Sequence, residues 1–511
     1  MELLKKAGIR FTITLLLLIL QIIGIVILAS IIVDSLPVIF GFSWILGMVI
    51  VFLLVRKDEP SPYKTIWIII VMGWPFIGGL LYLIFEENPH IKRVDARINK
   101  EHSKLSNLLC EYNENFNDIN TRADSRVIGC SRYIKKASSY HSYRNTESKY
   151  YPMGELMFED MLASMRNAEK FIFVEYFIIT QSTMWDKTLE ILEQKAAEGV
   201  DVRLIFDDFG SNRLFTGSYM KGLKKKGIKA VRFNPMSPVL SLFMNNRNHR
   251  KILVIDGHTA FNGGINISDE YININCKFGI WKDGGVRLRG EAVTSFSHMF
   301  IKIWNTFCKA EEYIADYMSY KNHENSEPLY DGLIVPYDDS PLSSEQIGEN
   351  VYIDILNKAQ SYVYIFTPFL IISEKMIYAL KMAAMRGVDV RIITPGIPES
   401  KMVHRLTRSY YAYLLQSGVR IYEYTPGFLH AKTFVSDEEI AVVGTINLDY
   451  RSLYLHFECA TLLYNSSSIK DIKEDFVRTI DASKEVLPAD TRRRVWDKFI
   501  DALLRLLAPL M

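Results

Sequence analysis

The sequence predicts an α/β protein whose two similar halves, related by a pseudo-twofold axis, follow an N-terminal transmembrane helical region. From Gly154 onward, short apolar runs typical of buried strands alternate with amphipathic segments typical of helices. The same order returns in the second half, where Gly387-Val-Asp-Val-Arg391 repeats Gly199-Val-Asp-Val-Arg203. A repeated order of this kind indicates an internal duplication. The longest apolar runs lie in the first 85 residues.

Length, charge and cysteine content restrict the possible functions. The chain has 511 residues, which is enough for two or three domains with full cores. Its 60 Lys and Arg residues nearly balance its 58 Asp and Glu residues, so no general affinity for polyanions is expected. The five cysteines are scattered, without the spacing of a zinc site or of a disulfide framework. Composition therefore favours neither a nucleic-acid-binding protein nor a zinc protein.

The first 90 residues are predicted to form a membrane anchor of two to three hydrophobic helices, at residues 11–33, 37–55 and 66–85. The first run is too long for the apolar core of a cleaved signal peptide, and no small-residue cleavage site follows it. The first two runs are almost contiguous, which indicates a tight hairpin. The third contains Gly73-Trp74-Pro75 and fits either a bent span or a re-entrant segment. The side of the membrane that carries the remaining chain stays open.

Two α/β repeats are predicted to follow the anchor. The predicted segments are a linker and approach segment at 91–150, a first repeat at 151–320, a linker at 321–350, a second repeat at 351–490 and a C-terminal amphipathic helix at 491–511. Strands are predicted at 171–179, 199–206 and 229–233 in the first repeat, and at 362–366, 387–393 and 419–424 in the second. The apolar face of the C-terminal helix fits either a membrane surface or the protein core.

Each repeat carries one copy of a polar motif. The first copy is His249-x-Lys251-x4-Asp256-x6-Gly263-Gly264-x-Asn266. The second is His430-x-Lys432-x4-Asp437-x6-Gly444-Thr445-x-Asn447, with no insertion or deletion between the copies. A bare His-x-Lys-x4-Asp could arise by chance, but two copies with the same trailing Gly and Asn indicate the functional site.

Strand parity assigns roles within each copy. If the motif lies on a strand, His249 and Lys251 are two residues apart and share one face. Asp256 has the opposite parity and is predicted to brace the backbone, and Asp437 has the same relation to His430 and Lys432. The side-chain amides of the two motif asparagines are predicted to bind phosphate oxygens. These asparagines are Asn266 and Asn447.

Two such copies brought together suit a phosphodiester substrate. One histidine can attack phosphorus while the other protonates the leaving alkoxide, and the lysines supply positive charge, so no metal is needed. Each histidine also requires a partner that fixes its tautomer. Asp283 is the candidate partner for His249, and Glu458 is the candidate for His430.

At these residues the chain resembles the phospholipase D superfamily and, within it, the bacterial cardiolipin synthases. The segments that carry the resemblance, besides the two motifs, are Phe173-Val-Glu-Tyr-Phe177, Trp281-Lys-Asp283, Tyr424-Thr-Pro-Gly-Phe428 and Asn447-Leu-Asp-Tyr-Arg-Ser452. The resemblance implies two phospholipase-D-like α/β/α halves and a reaction in which two phosphatidylglycerol molecules give cardiolipin and glycerol. It also implies a phosphatidyl-histidine at His249, with His430 as the acid and then the base. No cofactor is implied.

The resemblance further implies a multi-pass protein of the bacterial plasma membrane, whose partners are phosphatidylglycerol, as donor and acceptor, and the lipid bilayer. Two alternatives within the superfamily stay open: a hydrolytic phospholipase D, and a phosphatidyltransferase that uses another alcohol. A nucleic-acid phosphodiesterase is disfavoured by the balanced charge and the apolar N-terminus. A non-enzymatic membrane scaffold is disfavoured because both copies keep every motif residue.

Overall fold

The computed structural model describes residues 19, 21–24, 36–57, 61–86, 93–104, 125–235, 246–308, 310–312, 314–317, 330–343 and 345–510. The chain divides into two compact units, Met1–Glu87 and Asn88–Met511. The predicted functional residues all belong to the second unit. Each unit is therefore described by itself.

In its described residues the first unit includes the helices α1 (Leu36–Arg56), α2 (Ser61–Gly73) and α3 (Pro75–Glu86). Within the described residues, no helix is both long enough and apolar enough to cross a membrane, so the predicted spans at 37–55 and 66–85 are not supported. The 66–85 run is interrupted at Trp74, between α2 and α3. Most of the predicted span at 11–33 lies outside the described residues.

The second unit is built on one 16-stranded sheet, with two short two-stranded sheets beside it. Its strands are β1 (Tyr143–Tyr151), β2 (Phe171–Tyr176), β3 (Asp201–Asp207), β4 (Lys229–Phe233), β5 (Arg247–Asn248), β6 (Lys251–Ile255), β7 (Thr259–Gly263), β8 (Ile280–Lys282), β9 (Gly285–Gly290), β10 (Tyr330–Asp339), β11 (Tyr362–Phe366), β12 (Leu370–Ile371), β13 (Asp389–Pro395), β14 (Arg420–Tyr424), β15 (Gly427–Leu429), β16 (Thr433–Ser436), β17 (Ile440–Gly444), β18 (Leu448–Asp449), β19 (His456–Tyr464) and β20 (Ser483–Glu485).

Helices accompany the sheet in both halves. They are α4 (Ser125–Ser138), α5 (Gly154–Arg166), α6 (Thr183–Ala197), α7 (Asp208–Ser211), α8 (Gly217–Lys225), α9 (Val293–Cys308), α10 (Ile347–Lys358), α11 (Glu374–Met385), α12 (Lys401–Leu415), α13 (Tyr450–Tyr454), α14 (Ser468–Asp481) and α15 (Val495–Leu507). Helix α9, which is buried from Val293 to Thr306, shows why the sheet needs them: Phe300 stacks on Phe173 of β2, with ring centroids 4.4 Å apart. Apolar strands with both faces covered are the expected core of an α/β fold.

The order of the strands gives the sheet a pseudo-twofold arrangement. An antiparallel pair, β1 and β10, lies at its centre. On one side the order is β9-β7-β6-β2-β3-β4, and on the other it is β19-β17-β16-β11-β13-β14. In each half three strands are parallel, β2-β3-β4 and β11-β13-β14. The predicted α/β fold with two repeated halves is confirmed.

The two central strands lie within segments that the sequence assigned to linkers, 91–150 and 321–350. The polar residues of β10 led to that assignment, but the structure pairs them. Asp338 accepts hydrogen bonds from Arg250 at 2.5 Å and from Lys302 at 2.6 Å. Asp339 accepts from the backbone N–H groups of Ser340 and Gly348. A polar segment can therefore be a central strand when buried cations and amides satisfy its carboxylates.

Two short strands cross from one half to the other. β5 lies immediately before His249 and pairs in parallel with β19 of the second half. β15 lies immediately before His430 and pairs in parallel with β8 of the first half. Each motif is thus held by a strand of the opposite half.

The C-terminal helix α15 packs against α12 through its polar side. Arg405 of α12 forms ion pairs with Asp497 at 2.9 Å and with Asp501 at 2.7 Å. The apolar side points outward, where Val495 is 82% exposed and Trp496 is 79% exposed. Neither predicted alternative is complete: the helix packs on the protein through these ion pairs and through Leu504, but most of its apolar side chains stay exposed.

Candidate active site

Each motif histidine lies in a break between two strands. The sequence placed His249 and Lys251 on one strand, but β5 ends at Asn248 and β6 begins at Lys251. The break arises because β5 pairs with β19, whereas β6 pairs with β2 and β7. The second copy repeats this change of partner at residues 430–432, between β15 and β16. The exchange of strands between the halves therefore places each histidine at the seam.

The carboxylates that orient the histidines are those predicted, but their partners are exchanged. His249 Nδ1 lies 2.8 Å from Glu458 Oε1, and His430 Nδ1 lies 2.6 Å from Asp283 Oδ2. The predicted pairing of His249 with Asp283 and of His430 with Glu458 is wrong. In the register between β5 and β19, Asn248 faces Phe457, so the next residue along each strand, His249, meets Glu458. The same register between β15 and β8 brings His430 to Asp283.

The residue after the motif glycine shapes the pocket of each carboxylate. A Cβ atom at Gly264 would lie 2.2 Å from Asp283 Oδ1, so only glycine leaves room for this carboxylate. In the second copy the equivalent residue is Thr445, whose hydroxyl donates to Glu458 Oε2. The one difference between the trailing motif residues thus follows from the carboxylate that each must accommodate.

The two motif aspartates brace the backbone, as strand parity predicted. Asp256 accepts hydrogen bonds from the backbone N–H groups of residues 169–171, at 2.7 to 2.9 Å. Asp437 accepts from those of residues 360–362, at 2.8 to 2.9 Å. Both aspartates adopt a left-handed backbone conformation, with φ of 52° and 54°. Each ties the end of its motif strand to the start of the antiparallel neighbour, β2 in the first half and β11 in the second.

The motif asparagines use part of their hydrogen-bonding capacity within the protein. Asn266 accepts from Ile178 N at 3.1 Å and donates to the Tyr271 hydroxyl at 2.8 Å. Asn447 donates to the Ser452 hydroxyl at 2.9 Å. A side-chain amide carries two N–H donors, so each residue retains one. Phosphate binding by these two residues stays a prediction.

Burial controls the protonation of the four central groups. It lowers the pKa of His249 to about 3 and that of His430 to about 4, so both imidazoles are neutral near pH 7. It also lowers the pKa of Lys251 to about 7 and that of Lys432 to about 8, partly offset by attraction to the buried carboxylates. Repulsion from Lys432 contributes to the lowered pKa of Lys251, and repulsion from Lys251 to that of His430. The two motifs therefore act on one another as one site.

The two lysines lie beside the histidine of their own motif. Lys251 Nζ donates to the His249 carbonyl oxygen at 2.5 Å, and Lys432 Nζ donates to the His430 carbonyl oxygen. Both ammonium groups are almost fully buried. A buried cation without a carboxylate in direct contact is a strong attractor for an anionic ligand.

The aromatic surroundings of the histidines differ, and these contacts with the imidazoles were not predicted from the sequence. Around His430 the rings of Tyr271, Trp281 and Phe428 have centroids 5.4 to 5.9 Å from the imidazole. Around His249 lie Phe177, at 5.1 Å, and a third histidine, His456, at 5.3 Å. Parity could have identified Trp281 and His456, because each precedes its orienting carboxylate by two residues.

One group at the site has the composition of a metal site. The ligating atoms of His249, His456 and Glu458 lie within 4.8 Å of one another, and all three residues are buried. Among the residues that the structure describes, these three could hold an ion. No step of the chemistry below requires one.

A buried ionic network supports the first motif from behind. Arg250, between His249 and Lys251, is fully buried and donates to Asp338 of the central strand β10 and to the Glu458 carbonyl oxygen. The guanidinium thus links the motif to both the centre of the sheet and the strand that supplies the carboxylate for His249. These contacts fix the backbone at His249, where the chain passes from β5 to β6.

Comparison with known proteins agrees with this geometry. The family model described as cardiolipin synthase, PLD-like domain, matches residues 161–304 and 352–480. A cardiolipin synthase of Halalkalibacterium halodurans is 32% identical over 92% of this chain and 94% of its own length. A cardiolipin synthase of Staphylococcus aureus is 31% identical over 93% of this chain and 96% of its own. An uncharacterized protein of Streptococcus mutans is 44% identical over 87% of this chain and 96% of its own.

Among solved structures, the phosphatidylserine synthase of Haemophilus influenzae has a similar fold, with a TM-score of 0.54 at 14% identity. The match covers 75% of this chain and 98% of that protein. The family model accounts for both repeats, and the relatives cover almost the whole chain. The chain therefore belongs to the cardiolipin synthase family of phospholipase-D-like phosphatidyltransferases.

Proposed function

We propose that the protein transfers a phosphatidyl group from one phosphatidylglycerol to another, giving cardiolipin and glycerol. The observation that carries this proposal is the crossed arrangement of the site: two neutral histidines, each oriented by a carboxylate of the opposite half, beside two buried lysines. Family membership supports the substrate class, because two of the three relatives compared above are named cardiolipin synthases. The two phosphatidylglycerol molecules and the direction of transfer belong to the proposal.

In the first step, His249 attacks phosphorus of the donor lipid. A P–N bond forms, and the bond from phosphorus to the glycerol oxygen breaks. The anionic phosphodiester favours the protonated form of the neighbouring imidazole, so His430 enters this step protonated and gives its proton to the departing glycerol. Glu458, bound to Nδ1 of His249, leaves Nε2 as the attacking atom.

In the second step, His430 accepts the proton of a headgroup hydroxyl of the acceptor lipid. The hydroxyl oxygen attacks phosphorus, the P–N bond breaks, and the electron pair returns to His249. Protons and charges then match those of the starting enzyme. The two ammonium groups neutralise the non-bridging oxygens in both steps, and the free N–H donors of Asn266 and Asn447 are suited to the same oxygens.

Product analysis of the purified full-length protein tests this proposal. With phosphatidylglycerol in lipid micelles, cardiolipin and glycerol should appear in equal amounts. Formation of phosphatidic acid alone would instead indicate a hydrolytic phospholipase D, and transfer only to an added alcohol would indicate a different acceptor. Replacing either His249 or His430 by alanine should abolish transfer, and full activity of both variants would contradict the two-histidine scheme.

We also propose that the reaction takes place at a bilayer surface, with the outward face of α15 resting on the lipid. The helix exposes Val495, Trp496 and Phe499 while its aspartates are held by Arg405. The exposed Arg492, Arg494 and Lys498 lie at the same end of the helix and complement anionic lipid headgroups. A lipid surface accounts for both the apolar face and its basic border.

A further inference from the structure

The side chain of His456 faces the catalytic pair. His456 is the first residue of β19 and precedes Glu458 by two positions, so both side chains leave the same face of the strand. Glu458 holds His249, and the ring centroid of His456 is 5.3 Å from that of His249. Phe177 lies beside the same imidazole, with its ring centroid 6.3 Å from that of His456. A ligand bound to His249 would therefore lie within reach of His456.

This imidazole is buried without a hydrogen-bond partner. His456 is only 8% exposed, and neither ring nitrogen has a partner among the residues that the structure describes. Nδ1 lies 3.8 Å from Glu458 Oε1, which is beyond hydrogen-bonding distance. Buried polar groups are nearly always paired in folded proteins, so an unpaired one beside a catalytic residue points to a bound partner.

The other half has an equivalent residue. Trp281 precedes Asp283 by two positions, and its ring centroid is 5.4 Å from that of His430. Its Nε1 is likewise buried and unpartnered among the described residues. The pseudo-twofold thus places one ring with an N–H donor beside each catalytic histidine. An imidazole differs from an indole because it can accept as well as donate a hydrogen bond.

We propose that His456 is a third histidine of the active site, which hydrogen-bonds a non-bridging oxygen of the phosphoryl group held at His249. The inference rests on the proposed function, because it assigns His456 to the phosphoryl group of that reaction. His456 makes and breaks no covalent bond. It donates one N–H to an oxygen whose negative charge grows as His249 attacks.

Two substitutions at His456 separate hydrogen bonding from packing. The side-chain amide of His456→Gln can place a donor near the position of Nε2, whereas His456→Leu fills space without one. We expect His456→Leu to lower kcat for transfer by about a hundredfold to a thousandfold, as loss of one transition-state donor does, with a smaller change in KM. His456→Gln should recover a large part of this loss. Equal kcat for the wild type and His456→Leu would overturn the inference.

His298 provides a matched control. It is fully buried, and its ring nitrogens also lack partners among the described residues, but it packs against Tyr140, with ring centroids 5.1 Å apart, rather than against His249. His298→Leu should lower the thermal midpoint and leave kcat of the folded enzyme within about threefold of the wild type. If both leucine variants lose activity in proportion to their loss of folded protein, His456 has only a packing role.

Calorimetric binding of orthovanadate tests the same contact without turnover. Orthovanadate can adopt the trigonal-bipyramidal geometry of phosphoryl transfer, and we expect His456→Leu to weaken its binding at least tenfold relative to wild type and His298→Leu. Unchanged binding in folded His456→Leu would overturn the inference. A wild-type enzyme that binds orthovanadate but forms no cardiolipin would instead count against the proposed transfer reaction alone.

Discussion

At the scale of single residues, the crossed carboxylates make a specific prediction. Glu458→Gln keeps the size of the side chain but removes the charge that holds Nδ1 of His249, so kcat should fall at least a hundredfold with little change in KM. The histidine whose Nδ1 resonance shifts identifies the partner of the substituted carboxylate. In ¹⁵N spectra, Glu458→Gln should shift the Nδ1 resonance of His249, and Asp283→Asn should shift that of His430. The reverse assignment would contradict the crossed arrangement.

The lysines predict the alkaline limb of the pH profile. Burial lowers the pKa of Lys251 to about 7 and that of Lys432 to about 8, so the free enzyme loses positive charge as the pH rises through this interval. We expect kcat/KM to decline above about pH 7 to 8. A bound phosphodiester favours the charged lysines, so the decline of kcat should occur at higher pH. Initial rates between pH 5 and 10 measure the declines of kcat/KM and of kcat. A constant kcat/KM up to pH 10 would contradict this prediction.

Gly264 offers a further test within the motif. A methyl group at this position would overlap Asp283 Oδ1, whereas nothing lies within 4 Å of a Cβ added at Gly217. Gly264→Ala should displace the carboxylate of His430 and lower kcat at least tenfold, while Gly217→Ala, at the start of α8, should have wild-type kcat. Transfer assays on both purified variants provide the comparison. Wild-type activity of Gly264→Ala would show that Asp283 can move without loss of function.

What the sequence could predict at this scale depended on whether the information was local. Parity within one motif assigned Asp256 and Asp437 to the backbone correctly, although the motif strand begins after the histidine and ends before the aspartate. The partner of each histidine could not be derived in this way. It depends on β5 pairing with β19 and β15 with β8, and neither register is written in either motif alone.

At the scale of elements, variants of α15 can test contact with lipid separately from the chemical step. The double substitution Trp496→Ser and Phe499→Ser changes side chains that are 79% and 63% exposed, so the fold should be preserved. We expect activity on vesicles containing phosphatidylglycerol to fall at least tenfold, and activity on dispersed short-chain phosphatidylglycerol to stay within about twofold of the wild type.

A control for this prediction is Met385→Ser, at the end of α11, where the side chain is 70% exposed. It should leave both activities unchanged. If the α15 variant retains full activity on vesicles, the outward apolar face has another occupant.

The sequence could identify this amphipathic helix by its period. It could not show which face meets the protein, because the contact is made by the minority aspartates through Arg405.

The strands that sequence reasoning missed have a common physical cause. β10 ends in two aspartates, and β1 is largely polar, so alternating apolar patterning does not reveal either one. Their pairing partners come from distant positions in the chain, and buried cations satisfy the carboxylate of Asp338. By contrast, the predicted strands at 229–233 and 362–366 have the boundaries observed for β4 and β11, because apolar residues mark them locally.

At the scale of the whole molecule, the central pair of strands makes the two halves one folding unit. Asp338 joins Arg250 of the first motif and Lys302 of α9 to the strand at the seam, and all three residues are buried. Asp338→Ala leaves two buried cations without their shared partner, which should destabilise the second unit by about 3–5 kcal/mol. Thermal or urea unfolding followed by circular dichroism would measure the loss.

Asp186→Ala is the matched control for this prediction. Asp186 is exposed in the first turn of α6, where its carboxylate accepts a hydrogen bond from Gln181 at 2.7 Å. Its substitution should change the stability by less than about 0.5 kcal/mol. A similar small change in Asp338→Ala would mean that the cations at the seam are satisfied in another way.

The exchange of carboxylates between the halves also has a consequence during synthesis. The ribosome releases the first half, with His249 and Lys251, well before residue 458 is made. Until β19 joins β5, His249 has no carboxylate on its ring, and His430 does not yet exist. Under the proposed mechanism, a nascent or truncated chain that lacks Glu458 and His430 should therefore not cleave membrane lipids. Phosphatidyl transfer becomes possible only after the second half has been made and has paired with the first.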